Sequence, residues 1–299
     1  MKRIIILFVG LVLIGVAAQA KKKPAPVFIV AGQSNTDGRV PMSDLPEYIT
    51  KDSYQHCLWS YGSGTHAADG TFTNFWPKTY LAKNKNPQRW GYDAIVYDLM
   101  GKASEQDFYV IKESLGGTAI SPKAPKSTQR MYWSADEAFL DSVQSASIGG
   151  RSLLKALCDH IDRCIDGQLS QLKQGYEFKA LLWHQGESDV KQAKAYQKNL
   201  TAVIAYIRQH LVDKTGDKRY ATLPVIIGGI AHKSRDYSPT LEAAQKTIAE
   251  EDPNCYYVDM HDAPLLKDNL HFNREGAEQL AQKVYKLLIE LRLWQEKRK

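Results

Sequence analysis

Three side chains, Ser34, Asp268 and His271, are of the types that serve as nucleophile, orienting acid and general base. Ser34 lies in Ala31–Arg39 (AGQSNTDGR), directly after the apolar run Val27–Val30 (VFIV). A short β-branched run of this kind reads as a buried strand. Gly32 breaks it, and Ser34 follows two residues later. A serine just past the carboxyl end of a first strand stands where open α/β sheets place their chemistry. The blander role for such a serine is to cap the next segment. Asp268 and His271 stand three residues apart in Asp268-Asn269-Leu270-His271. In one tight turn the carboxylate can hold Nδ1–H and fix the tautomer, leaving Nε2 to face Ser34 as general base.

Acyl transfer also needs donors for an oxyanion, and two further segments offer them. Glu113–Ile120 (ESLGGTAI) supplies Gly117, where a backbone N–H can approach a ligand closely. His184–Asp189 (HQGESD) supplies the side-chain amide of Gln185. The backbone N–H groups of Ser34 and Gly117 with the Gln185 amide would form a three-donor oxyanion hole. Asn35 and Glu187 are supporting or substrate-binding candidates, with Glu187 orienting a neighbour. His184 with Glu187 also has the spacing of two metal ligands, but no HExxH and no second histidine cluster accompanies them. Neither a metal nor a cofactor is expected.

These groups need strands to present them. Five apolar runs read as strands: Val27–Val30, Phe108–Ile111, Ala180–Trp183, Val225–Ile230 and Tyr256–Val258. Helical patterns alternate with them at Ser152–Leu172, Val190–Leu211, Leu241–Glu250 and Glu275–Leu293. The alternation predicts an α/β fold with a parallel sheet and helices on both faces. Two long stretches, Val40–Arg89 and Thr118–Gly150, read as loops that overhang the same sheet end as Ser34. Their aromatic residues, among them Tyr61, Phe72, Phe75, Trp76, Tyr132 and Trp133, either stack on sugar faces or form local cores.

The chain start reads as a secretory leader. Met1-Lys2-Arg3 is basic, Ile4–Ala18 is apolar, and Ala18-Gln19-Ala20 is a small-x-small cleavage site. The apolar run is shorter than a membrane span of about 20 residues. A signal peptide over 1–20 and a single domain over 21–299 are therefore expected, in a periplasmic or secreted protein without stable membrane association. Charge is modest. The chain has 39 basic and 33 acidic residues, so removing Lys2 and Arg3 takes the net from +6 to +4. Beyond Lys21–Lys23 there is no basic block, so nucleic-acid binding is not indicated. Cys57, Cys158, Cys164 and Cys255 show no CxxC spacing, while export would permit a bridge such as Cys57–Cys255.

Taken in order, GQSN (Gly32–Asn35), GGT (Gly116–Thr118), WHQGESD (Trp183–Asp189) and DNLHF (Asp268–Phe272) resemble the SGNH hydrolase superfamily. Within it the set is similar to the branch holding carbohydrate esterase family 6 acetylxylan esterases and sialate O-acetylesterase-like domains. The resemblance implies a three-layer α/β/α, flavodoxin-like sandwich with a five-stranded parallel sheet. It implies a serine esterase that removes acetyl groups from carbohydrates, with Ser34, His271 and Asp268 as the triad and Gly117 and Gln185 as oxyanion donors. The expected substrate is acetylated xylan or its oligosaccharides. The alternatives are a sialate O-acetylesterase, another acyl esterase, and a non-catalytic glycan-binding relative. Thr36-Asp37 departs from the branch pattern, and a carboxylate at Asp37 would shape the acyl pocket or repel acidic substrates.

Overall fold

A computed structural model describes residues 23–64, 68–77 and 88–296. The leader expected over residues 1–20 lies outside the described residues. Seven strands form one sheet: β1 (Ala25–Gly32), β2 (Cys57–Gly62), β3 (Thr73–Asn74), β4 (Phe108–Ser114), β5 (Tyr176–His184), β6 (Val225–Gly228) and β7 (Cys255–Val258). Their spatial order is β3-β2-β4-β1-β5-β6-β7. All neighbours are parallel except the short edge pair β2–β3.

The sheet therefore has seven strands rather than the expected five. The addition that matters is β2, which lies inside the stretch 40–89 read as a loop. It pairs with β4 from Cys57↔Phe108 to Gly62↔Glu113. The same stretch ends against a helix that the apolar periodicity did not reveal, α1 (Tyr92–Ala103). The other long helices are α2 (Leu153–Gly167), α3 (Ala193–Thr215), α4 (Pro239–Glu251) and α5 (Arg274–Glu290), and a short helix, Glu137–Ser142, interrupts the stretch 118–150 read as a loop.

Every residue of β1 is buried, as a central parallel strand covered on both faces requires. Its side chains alternate between two cores. Val27, Ile29 and Ala31 meet Leu153, Leu157 and Ile161 of α2, Leu200 and Val203 of α3, and Leu241 of α4. Phe28 and Val30 meet Ile95 and Val96 of α1 and Leu280 and Val284 of α5. The result is the expected three-layer α/β/α arrangement. Helix starts are set by side-chain caps: Ser152 accepts from Lys155 N–H, Ser238 from Leu241 N–H, and Asn273 from Gly276 N–H.

Most of the loop rings belong to these cores. Phe75 packs against Tyr54, Trp59 and Tyr97 with centroids 4.7–4.8 Å apart, and Trp133 packs edge-on against Trp183. The four cysteines are free and buried. Cys57 and Cys255 lie on β2 and β7 with four strands between them, a separation of about 24 Å at ~4.8 Å per strand. That excludes the bridge the sequence permitted. Among the described residues no helix is long and apolar enough to cross a membrane.

Candidate functional site

The strand order reverses direction at β1. The chain leaves β1 toward β4 and β2 on one side, then returns to build β5, β6 and β7 on the other. Ligands of open α/β sheets bind outside the strand ends at such a switch point. The carboxyl ends of β1, β4 and β5 are in register there, with Gly32 opposite both Ser114 and His184. Gly32 has φ +150°, and a Cβ on it would lie 2.1 Å from the His184 carbonyl oxygen. Only glycine allows this approach. It lets Gln33 N–H (3.1 Å) and Thr36 Oγ1 (3.0 Å) donate to that same carbonyl, fastening a single helical turn, Ser34–Asp37, to the end of β5.

Ser34 heads that turn. Its Oγ is 2.9 Å from Nε2 of His271, whose Nδ1 is 2.6 Å from Oδ2 of Asp268. The DxxH turn builds this geometry locally. Asp268 Oδ1 accepts from the backbone N–H groups of Leu270 and His271, both at 3.0 Å, in the manner of an Asx turn. Asn269 sits at the tip with φ +51°, a conformation asparagine tolerates better than most residues. Burial weakens the His271 imidazolium most. Arg39 weakens it further, and together they outweigh Asp268 and Glu187, so the pKa lies below the ordinary 6.5. Asp268 is 40% exposed. Its burial cost is outweighed by hydrogen bonds from His271 and Leu270, which lower its pKa.

Among the described residues, neither the Ser34 nor the Gly117 backbone N–H has an acceptor in the protein. Both residues line one cleft of about 630 Å³ with His271. The first N–H of a helical turn has no partner within it, which leaves that of Ser34 available to a ligand. Gln185 is placed differently from the expectation. It is fully buried, and its amide donates to Asp189 Oδ2 (2.7 Å) and to the Thr118 carbonyl (3.1 Å). Its Oε1 accepts from Tyr196 OH. Both amide hydrogens are thus engaged beneath the site, and Gln185 is not an oxyanion donor in this arrangement. Gln33, absent from the expected set, lines the cleft instead. Its Oε1 accepts from Ser188 N–H and Gln185 at 3.3 Å each, and its amide nitrogen has no acceptor among the described residues. The one signal for it in the sequence was its place in GQSN.

The supporting residues come together. Asn35 Nδ2 donates to Glu187 Oε1 (2.9 Å), and Asn35 Oδ1 accepts from Phe272 N–H (3.0 Å). Asn35 thereby ties the Ser34 turn to the histidine turn. Glu187 lines the cleft, while His184 is sealed in the core with its ring edge-on to Phe272 at 5.3 Å. Among the described residues no group of three His, Cys, Asp or Glu side chains is arranged to hold a metal. Asp37 does not line the cleft. It is 2% exposed, accepts from Tyr61 OH, and pairs with Arg39 at 2.6 Å. Its charge is matched internally, and the group it presents to the cleft is the Arg39 guanidinium.

Residues 24–290 match the profile of the family described as carbohydrate esterase, sialic acid-specific acetylesterase. Over 111 residues, 36% of the chain, the sequence is 35% identical to the probable carbohydrate esterase At4g34215 of Arabidopsis thaliana. That match spans 39% of the relative's length. The solved structure of the same Arabidopsis protein superposes with a TM-score of 0.61 at 20% identity, covering 89% of this chain and 98% of that one. NanS gives 0.58 at 14% identity, covering 90% and 98%. XAC1771, a carbohydrate acetylesterase from Xanthomonas citri, gives 0.52 at 16%, covering 88% and 55%. At these identities the superpositions establish a shared fold.

Proposed function

Because the chain belongs to the family described as carbohydrate esterase, sialic acid-specific acetylesterase, we propose that it is a serine esterase releasing O-acetyl groups from carbohydrates. The observation that carries this reading is the continuous relay from Ser34 Oγ through His271 to Asp268, with hydrogen bonds of 2.9 and 2.6 Å.

The steps follow from the geometry. Neutral His271 takes the Ser34 proton at Nε2 as Oγ attacks the acetyl carbonyl carbon. Asp268 holds Nδ1–H and stabilises the imidazolium that forms. The carbonyl oxygen, now negative, accepts from the Ser34 and Gly117 N–H groups, with the Gln33 amide as third donor in place of Gln185. His271 then gives its proton to the departing sugar oxygen, leaving an acetyl ester on Ser34. Water, deprotonated by the same imidazole, attacks that ester. Acetate leaves, and the proton returns to Ser34 Oγ. No step calls for a cofactor.

The motifs favour acetylated xylan or its oligosaccharides as substrate, and the family description favours an O-acetylated sialic acid. Acetate release from each, beside 4-nitrophenyl acetate, separates the two. Serine-dependent release from the xylan fragments supports the first, and release from the sialic acid alone supports the second. Turnover of no ester at all contradicts the esterase reading. The leader reading makes the enzyme periplasmic or secreted, and a mature chain beginning at Lys21 is its test.

A further inference from the structure

Beside the Ser34 cleft lies a second cavity of about 760 Å³. The two share Gly117, Pro125 and Lys126 as a common wall. Arg130 and Arg151 also line the second cavity, and among the described residues no carboxylate does. Among the described residues, no ion pair neutralises Lys126, Arg130 or Arg151. Three exposed cations around a concavity favour an anion at low ionic strength, where solvent and salt screen them least.

The cavity also has an apolar side, formed by rings that are themselves mostly buried. Tyr132 and Phe139 line it, their rings edge to face with centroids 5.7 Å apart, and the Arg151 guanidinium lies 5.9 Å over the Phe139 ring. The backbone beneath is built to a fixed shape. Gln129 and Arg130 hold φ +53° and +56° in succession, in the left-handed region that side chains disfavour. Hydrogen bonds hold them there: Thr128 N–H donates to Gly117 O (2.8 Å), Thr128 Oγ1 to Gly116 O (2.6 Å), and Arg130 N–H to Ser127 O (3.0 Å). The loop that carries Arg130 is therefore fastened to the residues that present the Gly117 N–H.

The geometry points to a subsite for a carboxylate-bearing sugar, a uronic acid, one residue removed from the acetylated sugar held at Ser34. The position of the ester rests on the proposed esterase reading. The charge of the subsite does not. The space is an open depression with room for a sugar ring. Lys126 lines both spaces, whereas Arg130 and Arg151 line only the second, which places the carboxylate on the neighbouring sugar.

Binding to the full chain carrying Ser34→Ala tests this without turnover. The probes are two acetylated xylo-oligosaccharides, one with glucuronic acid beside the acetylated xylose and one neutral. The acidic probe is expected to bind at least roughly tenfold tighter at low salt, the scale of one charge-assisted hydrogen bond. The ratio should collapse toward one in Arg130→Gln/Arg151→Gln and survive in Arg130→Lys/Arg151→Lys. It should also fall as salt screens the field, a readout that needs no further variant. A ratio near one in the Ser34→Ala chain, or one unmoved by the glutamine pair, would overturn the inference. So would an equal gain from the carboxylate of a free O-acetylated sialic acid, which would put the charge on the acetylated sugar itself. Hydrolysis of 4-nitrophenyl acetate by the parent is measured separately: its absence contradicts the esterase reading and leaves the binding ratio to decide the subsite.

Discussion

Gln185 donates its side-chain amide to Asp189 across 2.7 Å, and the same carboxylate accepts the backbone N–H groups of Ile120 (2.7 Å) and Ser121 (2.9 Å). Asp189 thus clamps the loop that follows β4 to the segment that follows β5. Burial raises its pKa, and the three donors only partly offset that. The pair works beneath the site as a support for the loop bearing Gly117.

Asp189→Ala should therefore act through stability. It leaves two buried backbone N–H groups and the Gln185 amide without an acceptor, at about 1–3 kcal/mol for each such group. Urea unfolding should show a loss of at least about 2 kcal/mol, with turnover falling because Gly117 loses its anchor. An unchanged unfolding midpoint would contradict the clamp.

The two glutamines should separate cleanly. Gln33 faces the cleft with its amide nitrogen unengaged, and Gln185 is internally bonded. Gln33→Leu should lower kcat by about 10–100-fold, the scale of one lost oxyanion donor or somewhat less, with a stability loss of about 1 kcal/mol from the Ser188 N–H left without its acceptor. Gln185→Leu should lower stability first. A stable Gln185→Leu protein with kcat reduced by about a thousandfold would restore that residue to the oxyanion hole.

The acid limb of the pH profile reports His271. Only the neutral imidazole accepts the Ser34 proton, and burial with Arg39 lowers its pKa below 6.5. Activity should thus persist below pH 6.5 and be lost as pH falls through the depressed pKa. Arg39→Gln removes a nearby cation, so it should move the limb to higher pH. A limb that stays in place or moves to lower pH in that variant would contradict the contribution assigned to Arg39.

Asp268→Asn should leave the imidazole in the wrong tautomer. Because Asp268 is 40% exposed, solvent screens part of its charge, and a water can substitute for it in part. The expected loss in kcat is about a hundredfold to a thousandfold, short of the roughly ten-thousandfold of a buried triad acid. A loss under tenfold would assign Asp268 to the turn alone.

The sequence made some of this legible. β1, β4, β5, β6 and β7 are readable because each contains a continuous apolar run, and helical patterns flank the last three. β2 is not, because Cys57–Gly62 (CLWSYG) carries no β-branched residue and stands in a Gly- and Asn-rich stretch. It becomes a strand by pairing with β4 across 51 residues. α1 was hidden because Tyr92, Asp93, Ala94, Ile95, Val96, Tyr97 and Asp98 are all buried, which erases the amphipathic stripe. At the site, residue types and order pointed to the side chains that meet at Ser34. They could not show which glutamine amide is free, since that depends on Asp189 and Thr118 folding onto Gln185. The Asp37 carboxylate likewise read as a substrate-facing charge until Arg39 and Tyr61 were seen to enclose it.

Acetate release by the parent and by Ser34→Ala tests the central claim most directly. With acetylated xylo-oligosaccharides, an O-acetylated sialic acid and 4-nitrophenyl acetate as substrates, the account predicts release from at least one by the parent. It also predicts a fall of at least about a thousandfold in the variant, with unfolding unchanged. Undiminished release by Ser34→Ala would contradict it.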